Sequence, residues 1–270
     1  MALSERELDQ FKYPIAVPGI GVDMQEKIRN SRILVIGAGG LGAPILQYLG
    51  AMGVGVVVIA DYAVITAQDM HRQQIYQMQD RGKHKAKMAA SRLWATNPFT
   101  KYFDIVRQVK PENVEKLLQG IDFVIDCSQH GPTHLMVNDA CIVNNKPFII
   151  GEVHNWVAWY AGFNIAPASG EAPASYRCSI ALADEYRNFD AGALGSTHAT
   201  TALMIVNEVL KYLIDVPGGL ANKFHSRDFL HNRFEEHNLV ADPAVITATK
   251  AQGVLSADEY QLDIVPDPED

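Results

Sequence analysis

The sequence has few of the features that mark secreted, membrane-spanning or nucleic-acid-binding chains. Its three cysteines, Cys127, Cys141 and Cys178, are odd in number and widely spaced, which excludes a disulfide framework. No apolar run approaches the ~20 residues that a membrane-spanning helix needs. Met1 to Gln10 is polar and charged and lacks the apolar stretch of a secretion signal, so the cytoplasm is the expected compartment. Basic residues are in deficit. The formal charge of −8 argues against nucleic acid as the main partner, because phosphate backbones are bound by clustered lysine and arginine. Internal repeats and low-complexity tracts are missing too. What remains is 270 residues with 48% hydrophobic content, enough for a sizeable globular core.

One motif carries chemistry. Gly37-Ala-Gly39-Gly40-Leu-Gly42 follows the apolar run Ile33–Ile36 and opens a second apolar stretch from Ile45 to Met52. A strand, a glycine turn and a helix start form the context that lifts this spacing above chance. The first glycine permits the tight turn, the next lets backbone approach a phosphate, and the last lets helix and strand pack closely. The helix start offers unpaired N–H groups to an anion. Asp61 closes the next strand, Val56–Ile59, about twenty residues on, where a carboxylate accepts ribose hydroxyls. The pattern predicts an adenine nucleotide site. It leaves the reaction open, since dehydrogenases and adenylating enzymes share this opening.

The alternation around the motif predicts an α/β fold, a Rossmann-like doubly wound sheet that is mostly parallel with an antiparallel C-terminal part. Strands are expected at 33–37, 56–61, 104–109, 123–126 and 147–151, and helices at 41–53, 82–96, 112–118 and 132–144. After Gly151 the pattern changes to an aromatic strand at 156–165, a helix at 196–213 and an antiparallel pair at 224–230 and 233–240. The organisation expected is a single domain over 1–270. It comprises a helical arm at 1–31 with capping boxes at Ser4 and Asp23, a nucleotide-binding half at 32–151, a mixed half at 152–250 and a frayed acidic tail at 251–270.

Between Asp61 and the helix at 82 lies Asp69-Met-His-Arg72-Gln73, and Lys85 falls in that helix's first turn. A lysine there opposes the positive end of the helix dipole, a conflict that a nearby anion removes. Arg72 and Lys85 are therefore candidates to meet the phosphates of a nucleotide at the glycine turn. A solvated basic face is the competing reading.

Together, Asn30–Gly42, Asp61, His71-Arg72-Gln73, Lys85 and Asp122-Phe-Val-Ile-Asp-Cys127 resemble the ubiquitin-activating-enzyme-like superfamily. The nearest branch is that of ThiF, MoeB and HesA, bacterial adenylyltransferases that activate sulfur carriers. The resemblance runs collinearly over roughly residues 10–245 and implies a homodimer that binds ATP and magnesium. It implies that a carboxylate is adenylated, whether the C-terminus of a ubiquitin-like carrier, a peptide or a small acid. By position it implies that Gly37, Gly39, Gly40 and Gly42 contact the nucleotide and Asp61 the ribose. Arg72, Gln73 and Lys85 would surround the phosphates, with Arg72 and Lys85 as the catalytic cations that oppose developing negative charge.

Several positions depart from that family. Its N-terminal arginine is Tyr13 here, the asparagine before the Arg-Gln pair is Asp69, and its magnesium-holding aspartate is Gln129. The apparent exchange makes Asp69 the candidate magnesium ligand and Gln129 a candidate phosphate donor, because magnesium needs only one or two carboxylates beside phosphates and water. The four zinc-cysteine positions read Ser175, Cys178, Val245 and Ala248, one thiol of the four that a structural zinc requires, so no zinc is expected. The relay cysteine aligns with Asn188. These losses keep a second reading open, a non-catalytic dimeric partner or scaffold. The glycine turn and Asp61 alone would also admit an NAD-dependent dehydrogenase. Cys127 reads as a small core residue, Cys178 as a zinc-site relic, and Trp156, Trp159 and Tyr160 as packing. His130 and His134 follow Gln129 and are expected to face the nucleotide. His225, His231 and His237 recur every six residues, a spacing that suits no metal cage.

Overall fold

The computed structural model describes residues 2–186, 192–216 and 219–267. Eight strands form one sheet: β1 Arg32–Ile36, β2 Val56–Ala60, β3 Lys101–Ile105, β4 Phe123–Asp126, β5 Phe148–His154, β6 Val157–Phe163, β7 Lys223–Asp228 and β8 Arg233–Asn238. Their spatial order is β3-β2-β1-β4-β5-β6-β7-β8. The first five pair in parallel and the last three add antiparallel, so the expected fold class is the observed one.

The helices are α1 Glu5–Gln10, α2 Lys12–Ile15, α3 Gly21–Asn30, α4 Gly42–Ala51, α5 Lys85–Thr96, α6 Pro111–Leu117, α7 Gly131–Val143, α8 Ile180–Glu185, α9 Gly195–Leu213, α10 Pro243–Gln252 and α11 Ala257–Tyr260. The central strands are continuous apolar runs because helices cover both faces. On one face Val35, Val57 and Ile125 pack with Leu46, Ala89 and Ile205 of α4, α5 and α9. On the other, Leu34, Val124 and Ile150 pack with Val114 and Val137 of α6 and α7 and with Tyr260 and Leu262 of the tail. The strand order reverses between β1 and β4, which opens a crevice beyond their C-terminal ends.

Some boundaries differ from expectation. β3 occupies 101–105 rather than 104–109, because it is an edge strand with an exposed, irregular pattern and the apolar Val106 and Val109 lie in the loop beyond it. α3 begins at Gly21, so Asp23 lies inside the helix and caps nothing, whereas the Ser4–Glu7 capping box forms as expected. Trp159 is buried and stacked between Tyr176 and Phe224. Trp156 is 43% exposed in the β5–β6 turn rather than packed. The tail is not frayed up to Asp267: α10 and α11 form, and Tyr260 donates to Asp139 Oδ2 at 2.7 Å. Among the described residues, no helix is long and apolar enough to cross a membrane.

Candidate nucleotide site

A cavity of about 480 Å³ opens at the crevice, lined by Gly37, Gly39, Gly40, Asp61, Arg72, Gln73, Lys85, Gln129 and His130 among others. Residues separated by up to ninety-odd positions thus meet because β1, β2 and β4 end side by side. Gly37 has φ +93°, and a side chain on it would strike the Cys127 carbonyl. Gly42 lies behind the cavity wall, where any Cβ would collide with the Gly37 carbonyl oxygen. It shapes the turn from behind rather than lining it.

Asp61 holds the turn in place. Its Oδ2 accepts from Ala38 N–H at 2.7 Å and its Oδ1 from Ala63 N–H at 2.8 Å. Burial raises its pKa, opposed by those two backbone donors and by Lys85. Tyr76, absent from the sequence reading, donates its hydroxyl to the Ala38 carbonyl at 2.9 Å and ties the turn to the loop that carries Arg72 and Gln73. An aromatic with one polar tip gives no local pattern from which that role can be read.

Asp69 organises the cationic wall. Its Oδ2 accepts from Thr66 N–H and hydroxyl at 2.9 and 3.0 Å and lies 3.3 Å from Lys85 Nζ. Its Oδ1 accepts from Gln73 Nε2 at 2.8 Å and from Arg72 Nη2 at 3.4 Å. The carboxylate is buried and is absent from the cavity lining. Burial alone would raise its pKa, but the Thr66 bonds and Lys85 outweigh that and hold it low. The anion that the Lys85 position calls for is therefore supplied by Asp69 itself, and a carboxylate filled on both oxygens does not fit direct ligation of magnesium. Gln129 adopts φ +55° and accepts from Val153 N–H through Oε1 at 3.3 Å, so its amide oxygen is engaged too.

Gln73 is the opposite case. It lines the cavity, is 1% exposed, and leaves Oε1 without a hydrogen-bond partner. A buried acceptor without a donor costs about 1–3 kcal/mol, so this oxygen suits an occupant that brings an N–H or O–H. The site thus offers a glycine turn, the Asp61 carboxylate, three cations in Arg72, Lys85 and Arg107, and one unsatisfied acceptor. That set fits a nucleoside triphosphate.

The two histidines separate. His130 lines the cavity as expected, whereas His134 is fully buried beneath it. His134 Nδ1 donates to Asp126 Oδ2 at 2.7 Å and Nε2 to Glu152 Oε1 at 2.8 Å, so α7 turns it into the core toward two carboxylates. Cys127 is buried at the end of β4, and burial pushes its thiol pKa well up, which makes it a core residue and no nucleophile. Tyr13 is 84% exposed on α2 and is not among the residues that line this chain's own cavity. Asn188 lies outside the described residues.

Residues 11–245 match the ThiF family, leaving 246–270 outside the match. The chain is 31% identical to the sulfur carrier protein adenylyltransferase of Thermus thermophilus over 247 residues, 90% of this chain and 91% of that protein. It is 30% identical to the SAMP-activating enzyme E1 of Haloferax volcanii over 239 residues, 87% of this chain and 86% of that one. Among solved structures, E. coli MccB with ATP superposes with a TM-score of 0.71 at 21% identity, covering 82% of this chain and 67% of that chain, a likeness of fold.

Proposed function

The chain belongs to the ThiF family, and on that premise we propose that it is an ATP-dependent adenylyltransferase acting on a carboxylate, the C-terminus of a carrier protein or peptide foremost. The observation that carries the reading is the meeting of Gly37, Gly39, Gly40, Asp61, Arg72, Gln73 and Lys85 around one cavity. In the proposed reaction a carboxylate oxygen attacks the α-phosphorus of ATP and pyrophosphate leaves. Arg72 and Lys85, already held by Asp69, oppose the negative charge that builds on the phosphates without reorganising. Asp61 accepts from the ribose. The similarity to a protein named as a sulfur carrier protein adenylyltransferase supports the same chemistry.

Magnesium enters this reading as the companion of ATP, carried by phosphates and its own waters. Gln73 Oε1 is the acceptor suited to one of those waters. Asp69→Asn is therefore expected to leave the magnesium dependence of ATP binding intact, which a titration with and without magnesium checks. Loss of that dependence in the variant would return Asp69 to the role of ligand.

The proposed assembly is a homodimer. The N-terminal arm exposes Leu8, Tyr13, Val17 and Val22, and α4 exposes Tyr48, apolar surface that a symmetric partner would cover. Light scattering at micromolar concentration is expected to give twice the chain mass. Calorimetric titration with ATP and NAD tests the nucleotide assignment: ATP binding is expected, and binding of NAD in preference would favour dehydrogenase chemistry.

A further inference from the structure

The tail beyond the family match runs into the same cavity. Asp263 and Val265 line it, beside Gln108 from the loop after β3. Gln108 is buried, and both ends of its amide clasp the tail backbone. Nε2 donates to the Asp263 carbonyl at 2.8 Å, and Oε1 accepts from Val265 N–H at 2.8 Å. Gln108 is itself fixed by Asn113, whose Nδ2 donates to its carbonyl at 2.9 Å.

Two further anchors bracket the clasp. Upstream, Tyr260 bonds to Asp139, which Arg177 also holds through a two-bond fork at 2.8 and 2.6 Å, and Leu262 is buried. Downstream, Asp267 lies 3.6 Å from Lys110 and 3.9 Å from Arg107. Surface pairs of this kind contribute little, so the buried anchors carry the fixation. Terminal segments ordinarily fray unless they are tied down, and this one is tied at a cavity wall.

Its position relative to the cations decides which part of a ligand it meets. The loop and helix that carry Gln73 and Lys85 pack, through Ile75, Tyr76 and Ala86, with the core on one face of the sheet. Val109, Tyr260 and Leu262 pack with the core on the other face. With its phosphates at the glycine turn, Arg72 and Lys85, a nucleotide lying across the strand ends would direct its base toward the second face, where Arg107 also lines the cavity and lies 3.9 Å from Asp267.

We propose that residues 262–267 form the closing wall of the base end of the nucleotide cavity, with Gln108 as the positioning residue that holds them there. The proposal rests on the adenine-nucleotide reading given above. A wall fixed before binding raises affinity by sparing the ligand the cost of ordering it, and its effect is confined to the base.

The test is calorimetric titration of the full chain, wild type against Gln108→Ala and, separately, Val265→Pro, with ATP and with inorganic triphosphate. Val265→Pro removes the N–H donor while leaving every cavity side chain but one unchanged. Both variants are expected to weaken ATP by about tenfold while triphosphate stays within about twofold. Unchanged ATP affinity overturns the proposal. Equal weakening of ATP and triphosphate also overturns it, since a general structural defect moves both, and tighter ATP binding would make the segment an occluding strap instead. Wild-type protein that binds triphosphate but not ATP would bring down the adenine-nucleotide reading and the wall with it.

Discussion

Replacing His134 by alanine is expected to lower the free energy of unfolding by about 3–5 kcal/mol, the scale for breaking a buried ionic arrangement by removing one partner. Both ring nitrogens face carboxylates, Asp126 at 2.7 Å and Glu152 at 2.8 Å, an arrangement that favours the imidazolium, which donates from both nitrogens. Glu152 extends the chain to His154 through its second oxygen at 2.9 Å. Burial by itself pushes the His134 pKa down; the Asp126 and Glu152 carboxylates outweigh it and raise the value from 6.5 to about 9. The folded-state pKa is raised, so this stabilisation is fully present below pH 6.5 and lost as pH rises through about 9. Urea denaturation in mildly acidic and in alkaline buffer measures both effects. The wild type should lose stability across that window, and His134→Ala should lack that slope. Wild-type stability that climbs from pH 6.5 to 9 would show that His134 is neutral in the fold.

Lys85→Ala is expected to weaken ATP binding or turnover by about 1.5–3 kcal/mol, roughly 10- to 150-fold, the usual scale for a charged hydrogen bond. Lys85 stands at the first position of α5, buried, with its ammonium 3.3 Å from Asp69 and its side chain in the cavity lining. Asp69 keeps its bonds to Thr66, Gln73 and Arg72 in the variant, so the wall survives and the missing charge is what the assay reads. Isothermal titration with ATP checks this. Unchanged affinity and activity would make the Lys85–Asp69 pair purely structural.

The parts of the site readable from sequence are those written in short patterns. The glycine turn, Asp61 and Lys85 at a helix start each have a local reason to be where they are, and the strands end together because the fold class dictates it. Side-chain direction is a different matter. Asp69 occupies the position expected for a magnesium ligand, yet its oxygens are filled by Thr66, Gln73, Arg72 and Lys85, a result that depends on where the loop packs. His134 sits four residues beyond His130 on the same helical stretch, and the placement of Asp126 on β4 and Glu152 on β5 explains why it turns inward. The tail shows the limit most plainly. Asp263-Ile-Val-Pro-Asp267 reads as a frayed acidic end, because nothing local announces that Gln108, more than 150 positions earlier, accepts and donates to its backbone.

ATP–pyrophosphate exchange reads adenylyl transfer itself. With the wild-type chain, magnesium and a panel of carboxylates that includes C-terminal glycine peptides, label is expected to pass from pyrophosphate into ATP only when a cognate carboxylate is present. Lys85→Ala should slow that exchange. Exchange absent across the panel, in protein that binds ATP, would rule out adenylyl transfer to those carboxylates and favour a nucleotide-binding partner or scaffold.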